Sequence, residues 1–191
     1  MAIKFGVAGT HSTGKSTLVD ALDEALTKCG FRVGRVGDLA TEARDLGFPI
    51  LHEHTFESTL WIMTRGISEQ LAQGLQNHIV LVDRPALDAI GYLWAALKHR
   101  EENMPKEQEE YLIALAAHDA ATYHVLCKTE IDPSVPLGAG RDTDLDFRAA
   151  ASEQITSVFS RMSVSPRTVV DDPAFVQQIA TELEDAARGG G

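Results

Sequence analysis

Short apolar runs alternate along the chain with longer stretches in which apolar residues recur every three or four positions. The first run is Ile3–Ala8, and the clearest later run is Ile79–Val82. Between them, a leucine at every fourth position from Leu18 to Leu26 predicts a helix with one apolar face. Such alternation is typical of βαβ units around a parallel sheet. The pattern therefore predicts an α/β domain.

The remaining runs complete this prediction. Further strands are predicted at Phe31–Val36, Val125–Cys127 and Thr168–Val170. Further helices are predicted around Leu60 to Leu71, from Pro85, around Tyr111 to Leu115, and after Asp172. No internal repeat or linker composition interrupts the 191 residues. We therefore expect one domain over residues 1–191.

The stretch GTHSTGKST follows the first predicted strand and opens the first predicted helix. Four residues separate Gly9 from Gly14, and Lys15 and Ser16 follow at the spacing of a phosphate-binding P-loop. Backbone N–H groups and the helix dipole would face the phosphates. We expect Lys15 to reach the β and γ phosphates of ATP or GTP, and Ser16 to coordinate Mg²⁺. The expected nucleotide-binding residues are Gly9, His11, Ser12, Thr13, Gly14, Lys15, Ser16 and Thr17.

Asp83 is a second candidate for the magnesium site. It stands at the carboxyl end of the predicted strand Ile79–Val82, and ligand sites in open α/β sheets form outside such strand ends. We expect Asp83 to bind Mg²⁺ through water. A structural alternative is that Asp83 caps the helix that begins near Pro85, and the two interpretations are compatible.

Three blocks of the sequence resemble a known family. HIVLVDRPALDAIGYL, with Asp83-Arg84 closing its strand, is similar to the Asp-Arg segment of P-loop nucleoside and nucleotide kinases, the group that holds thymidylate kinase and the deoxynucleoside kinases. GTHSTGKST is closer to a branch of small bacterial P-loop proteins that includes the nicotinamide riboside kinase domain. LGAGRDTDLDFR resembles the mobile lid of that branch, although Ala139 replaces its usual acidic residue.

The resemblance implies a P-loop NTPase fold in three layers. Its expected features are a five-stranded parallel sheet of order 2-3-1-4-5, helices on both faces, and a helical lid at about residues 132–150. The five apolar runs agree with this strand number.

The lid block supplies two candidate catalytic arginines. Arg141 and Arg148 lie in a polar, glycine-bearing segment, where a closing loop would place guanidinium groups on the transferred phosphoryl. A kinase needs such closure because water competes with the acceptor. The alternative is a solvated loop whose arginines pair with nearby aspartates. The candidate catalytic residues are Lys15, Asp38, Asp83, Arg84, Arg141 and Arg148.

The acceptor side needs a carboxylate to take or orient a hydroxyl proton. Asp38, just after the second strand, is the first choice, and Glu42 is the second. Arg44, Arg65 and Arg84 are candidates to hold a phosphate on the acceptor. If the acceptor carries none, Arg44 and Arg65 are ordinary surface residues.

The segment His52-Glu53-His54 has two imidazoles and a carboxylate, but an extended backbone would place Glu53 opposite the two histidines. We interpret it as a polar loop bordering the acceptor cleft rather than as a zinc site. Trp61 and Trp94 fall at helical positions and are interpreted as core or cleft wall.

The formal net charge of -11, from 28 acidic and 17 basic residues, excludes some partners. An acidic surface repels nucleic acid and anionic membranes, so we expect a small-molecule acceptor. Cys29 and Cys127 have no metal-binding spacing, and no secretory leader is recognisable, which together predict a cytoplasmic protein. The oligomeric state stays open, with a homodimer as one alternative.

These observations predict a Mg²⁺-dependent phosphotransferase that uses ATP to phosphorylate a nucleoside or nucleotide. The alternative is a regulatory NTPase or switch that acts on a protein partner. No motif names the base, sugar or phosphate state of the acceptor, because specificity depends on pocket shape.

Overall fold

The computed structural model describes residues 2–37, 39–132 and 143–189. Its sheet has five parallel strands in the order β2-β3-β1-β4-β5. The strands are β1 (Ile3–Ala8), β2 (Val33–Val36), β3 (Ile79–Asp83), β4 (Val125–Lys128) and β5 (Arg167–Thr168). This order confirms the α/β prediction and the sheet order implied by the resemblance.

Helices cover both faces of the sheet, as expected. They are α1 (Lys15–Lys28), α2 (Leu39–Asp45), α3 (Phe56–Gly74), α4 (Ala86–His99), α5 (Lys106–Ala120), α6 (Leu145–Arg161) and α7 (Pro173–Gly189). On one face, α1 and α7 bury Leu22 and Ile179 against Phe5 of β1. On the other, α3 to α6 pack together around residues such as Ile90 and Ile155.

The middle of the sheet is buried from solvent because β1 and β3 lie between two layers of helices. Phe5, Val7 and all residues from Ile79 to Val82 are buried. A strand covered on both faces needs no polar alternation, which explains why these two runs are so clear in the sequence. The strands thus form a rigid base for the residues at their carboxyl ends.

The structure differs from the sequence-based prediction in several elements. β2 starts at Val33 rather than Phe31, and β5 lies at Arg167–Thr168 rather than Thr168–Val170. Helices α2 and α6 were not predicted separately. Of the expected lid at about residues 132–150, residues 133–142 lie outside the described chain, and residues 145–150 form the start of α6. In the described ranges, no helix has both the length and the apolar character required to cross a membrane.

The contact between α4 and α6 depends on Gly91. A Cβ atom at this position would overlap the side chain of Ile155 and lie 2.9 Å from its Cα and N atoms. Glycine therefore lets α6 approach the backbone of α4 closely.

We expect Gly91→Ala to lower the free energy of unfolding by about 1–3 kcal/mol, because overpacking outweighs the helix propensity of alanine. Urea denaturation would measure the change. Gly74→Ala is the matched control, since its Cβ would meet only Ala2 Cβ, at an ordinary 3.6 Å. Equal stability of the two variants would contradict the close-packing argument.

Candidate active site

The P-loop connects β1 to α1 through residues that adopt glycine-type backbone conformations. Gly9 has φ +136° and Gly14 has φ +82°, both in the left-handed region. A Cβ at Gly9 would also overlap Thr129 Oγ1. Gly14 precedes the first residue of α1, so the loop delivers the phosphate-binding stretch directly to the helix N-terminus.

Lys15 reaches back across the loop from the first position of α1. Its Nζ atom donates to the carbonyl oxygen of Thr10 and lies 3.4 Å from Thr13 Oγ1. The side chain is buried. The ammonium group is thus held within the curve of the P-loop.

Ser16 and Asp83 meet at the end of β3. Ser16 Oγ donates to Asp83 Oδ2 at 2.7 Å. The other carboxylate oxygen, Asp83 Oδ1, is buried and has no hydrogen-bond partner among the described residues. The Asp83 side chain does not cap α4, whose cap is Pro85 without a side-chain bond. A hydroxyl and a carboxylate are ligand types that Mg²⁺ uses, so this pair fits the ion.

Arg84 turns away from β3 in an unusual backbone conformation, with φ +72°. Its backbone N–H donates to Val7 O at 3.1 Å. Its side chain donates to Tyr92 Oη at 3.2 Å and lies over the ring of Tyr92, 5.4 Å from the centroid. The guanidinium group is therefore fixed beside the end of β3.

Asp88 is a site residue that the sequence analysis missed. It lies on α4, is 2% exposed, and accepts a hydrogen bond from Gly9 N at 3.0 Å through Oδ2. Burial raises the pKa of Asp88 to about 7, although the charges of Arg84 and Lys15 and the Gly9 N–H oppose the rise. A lone carboxylate inside the apolar segment ALDAIGYL was the signal available in the sequence.

Arg148 holds the P-loop from α6. It is 4% exposed, its Nε donates to His11 O at 3.1 Å, and its Nη2 donates to Ser12 O at 2.9 Å. Arg148 therefore lies in the first turns of a helix rather than in a flexible loop, and it contacts carbonyls of the P-loop. Its predicted contact with the transferred phosphoryl stays a prediction. Arg141 and Asp38 lie outside the described residues.

Two clefts open beside these residues. We call the first the P-loop cleft; it is lined by His11 to Thr17 and by residues of β2 and β3. We call the second the side cleft; it encloses about 130 Å³ between α2, the turn at residues 50–54 and α4. His11, Asp83 and Arg84 line both clefts. The two clefts therefore meet at these three residues.

The side cleft has mainly apolar walls with a few polar groups. The apolar residues that line it are Leu39, Ala40, Ile50, Leu51, Ile62, Pro85, Ala89 and Tyr92. The polar groups include Asp88, Arg44 and His54. A concave, mainly apolar cleft with a few convergent polar groups is typical of small-molecule sites.

The other predicted acceptor residues are divided between the cleft and the surface. Arg44 lines the side cleft and pairs with Asp45 at 3.1 Å. Arg65 donates to Glu42 at 3.1 Å, and neither lines the side cleft. Glu42 and Arg65 are thus engaged with each other in this structure.

The His52-Glu53-His54 segment is not extended, because Leu51–Glu53 form a short 3-10 helix. His52 Nε2 lies 2.9 Å from Asp144 Oδ2, and His54 is buried in the wall of the side cleft. The described ranges contain no group of three His, Cys, Asp or Glu residues arranged to hold a metal ion.

The two tryptophans occupy different environments. Trp61 stacks on Phe48 with ring centroids 5.3 Å apart. Trp94 is partly buried against the core formed by α3 to α6. Trp94 thus agrees with its interpretation as a core residue, whereas Trp61 lines neither cleft.

Arg148→Lys is expected to weaken ATP binding by about 10–100-fold. A lysine ammonium cannot reproduce the two directed bonds to adjacent carbonyls, and each charged bond is worth about 1.5–3 kcal/mol. Titration with a fluorescent ATP analogue would measure the change. Arg161→Lys, at the exposed end of the same helix, is the control. Equal affinity in both variants would show that Arg148 does not organise the loop.

Asp88→Asn is expected to change the pH dependence of stability. The pKa of Asp88 rises from 3.8 to about 7 on folding, so the folded protein keeps a proton that the unfolded chain releases. The wild type therefore loses stability, relative to the variant, as pH rises from about 4 to about 7. Urea denaturation at several pH values would measure the free energy of unfolding of both proteins. The difference between the variant and the wild type should grow between about pH 4 and about pH 7 and then stay constant. Asp171→Asn, at an exposed carboxylate, is the control, and a constant gap for Asp88→Asn would refute the raised pKa.

Comparison with known proteins identifies the family and the fold. A family profile described as AAA domain matches residues 4–174. No curated protein sequence matches the chain. The structure is similar to that of NadR protein in complex with NR, with a TM-score of 0.65 and 18% identity, covering 96% of this chain and 51% of that one. The chain thus spans about half the length of NadR.

Two structures of deoxyadenosine kinase from M. mycoides are also similar. The structure with the products dCMP and a flexible dCDP has a TM-score of 0.61 and 14% identity, covering 96% of this chain and 100% of that one. The structure with bound dATP has a TM-score of 0.62 and 15% identity, covering 95% of this chain and 99% of that one. These likenesses concern the fold. The chain belongs to the AAA domain family and has the fold of P-loop nucleoside kinases.

Proposed function

We propose that the protein is a Mg²⁺-dependent phosphotransferase that uses ATP to phosphorylate a small molecule of nucleoside or nucleotide type. The observation that carries this proposal is the meeting of the P-loop cleft and the side cleft at His11, Asp83 and Arg84. A phosphate donor in one cleft and an acceptor in the other would face each other at this junction. An enzyme that only hydrolyses ATP needs no second cleft there.

The P-loop provides the donor side of the proposed reaction. Lys15 would contact the β and γ phosphates, and the backbone N–H groups of the loop would bind their oxygens. Ser16 would coordinate Mg²⁺ directly and Asp83 through water. The ion, when bound, neutralises charge on the β and γ phosphates. Arg84 stands at the junction of the clefts, where charge on the transferred group would develop.

Asp38 is the proposed base on the acceptor side. Its neighbours Val36 and Gly37 line the P-loop cleft, which supports this role. The acceptor hydroxyl oxygen forms a bond to the γ phosphorus, the bond from that phosphorus to the bridging oxygen breaks, and ADP leaves. The hydroxyl proton goes to Asp38. We also propose that Arg141 stabilises the transferred phosphoryl.

A phosphate already present on the acceptor would meet Arg44. This residue lines the side cleft, whereas Arg65 is paired with Glu42 outside it. The acceptor panel below therefore includes nucleosides and nucleoside monophosphates.

ATP consumption with Mg²⁺ would test the proposal. The panel comprises nucleosides, nucleoside monophosphates and nicotinamide riboside, with mass spectrometry to identify a phosphorylated product. We expect a product with at least one acceptor, and we expect Lys15→Ala to reduce its formation by about 100-fold or more. Asp38→Asn should lower turnover more than it lowers ATP affinity. Lys98→Ala, an exposed change on α4, is the control and should keep full activity.

Two outcomes would contradict the proposal. Slow hydrolysis at the same rate with every acceptor would favour a nucleotide-dependent switch acting on a protein partner. Full activity of Lys15→Ala would refute the assignment of the P-loop as the donor site.

A further inference from the structure

His54 has two buried ring nitrogens without a partner. The side chain is 3% exposed, and neither Nδ1 nor Nε2 has a hydrogen-bond partner in the described part of the chain. The residue lines the side cleft. A buried polar group without a hydrogen bond costs free energy, and such groups are rare in folded proteins. Their presence in a cleft wall points to a ligand that completes the bonds.

We propose that His54 determines acceptor specificity by hydrogen-bonding a polar edge of the acceptor's heterocyclic ring. The inference rests on the proposed function, because it assigns a role within the same acceptor site. It identifies the part of the acceptor that the protein recognises, a role that the proposed function does not assign to His11, Asp83 or Arg84.

The backbone on both sides of His54 is held in place. The carbonyl oxygen of His54 accepts a hydrogen bond from Arg100 Nη2 at 3.0 Å, and Arg100 also donates to His52 O. Thr55 then caps α3 through reciprocal bonds with Ser58 at 3.0 and 3.3 Å. The imidazole is therefore positioned before any ligand binds, which lowers the entropy cost of binding.

The imidazole of His54 is uncharged at neutral pH. Burial, together with the positive charges of Arg100 and Arg84, lowers its pKa to about 4. The carboxylates that line the same cleft are Asp83 and Asp88. A neutral imidazole donates through one nitrogen and accepts through the other. The two nitrogens point away from each other, so a ring edge of the ligand bonds to one of them, as donor or acceptor according to the tautomer. Amide and amino-substituted heterocycles offer both kinds of group.

The position of His54 favours the ring of the acceptor over its reacting hydroxyl. His54 lines the side cleft but not the P-loop cleft, whereas His11, Asp83 and Arg84 line both. The hydroxyl must reach the shared junction to receive the phosphoryl group. The rest of the acceptor then extends into the side cleft, where Ile62, Tyr92 and other apolar residues suit the faces of a flat ring.

Binding measurements would test this role without relying on turnover. Calorimetric titration with the nucleoside that the wild type binds best should show about 10–100-fold weaker binding to His54→Leu and unchanged ATP affinity. A base analogue lacking one hydrogen-bonding atom should bind the wild type more weakly than the parent nucleoside. The variant should bind the analogue and the parent alike, as in a double-mutant cycle. His118→Gln, on the exposed surface of α5, is the control.

Thermal unfolding without ligand separates this role from a structural one. His54→Leu breaks no side-chain hydrogen bond and removes two unpaired polar atoms, so we expect Tm to rise by about 2–4 °C. His52→Leu, which loses the contact to Asp144, should lower Tm. A fall in Tm for His54→Leu of the same size would overturn the proposal.

The two proposals fail in different ways. If the wild type phosphorylates a nucleoside and His54→Leu binds it equally well, the role of His54 is refuted while the proposed function stands. If the wild type binds no nucleoside or nucleotide of the panel, the proposed function is refuted. The proposed recognition of the acceptor ring by His54 is then refuted as well.

Discussion

A loop that points its N–H groups at an anion has to turn its carbonyl groups outward, and those carbonyls need donors of their own. In this protein the donors are two side chains, one from the P-loop stretch itself and one from α6. Lys15 donates to the carbonyl of Thr10, and Arg148 donates to those of His11 and Ser12. The shape of the phosphate-binding stretch thus depends on α6 as much as on its own glycines.

Close packing of α4 and α6 brings side chains of both helices to the P-loop. Asp88 of α4 accepts from Gly9 N, and Arg148 of α6 holds the next turn of the loop. Gly91 allows the two helices to approach each other, and their contact is a large part of the core on that face. The start of α6 is also joined to the turn that borders the side cleft, because Asp144 caps the helix and bonds to His52. One helix terminus therefore supports both clefts.

The features that the sequence predicted best are local ones. The P-loop spacing, the two buried strands and the position of Asp83 follow from short stretches of residues. Arg148 was misplaced because its acceptors lie 136 and 137 positions away along the chain, and local composition made its segment look like a solvated loop. The apolar repeat from Phe147 to Phe159 does mark α6, but the resemblance of its first residues to a lid obscured that helix. Asp88 was overlooked because a helix with one apolar face explained its neighbours.

The two walls of the side cleft differ in how much they contribute to the buried core. The wall from α4 is buried along most of its length and anchors the core, so changes there affect folding and the P-loop together. The opposite wall comes from α2 and the 3-10 helix at residues 51–53. Helix α2 has only two buried residues, Leu39 and Ala43, and the 3-10 helix has none. Substitutions in that second wall should therefore cost less stability than substitutions in α4. Under the proposed function, such substitutions would change the acceptor site while leaving the P-loop intact.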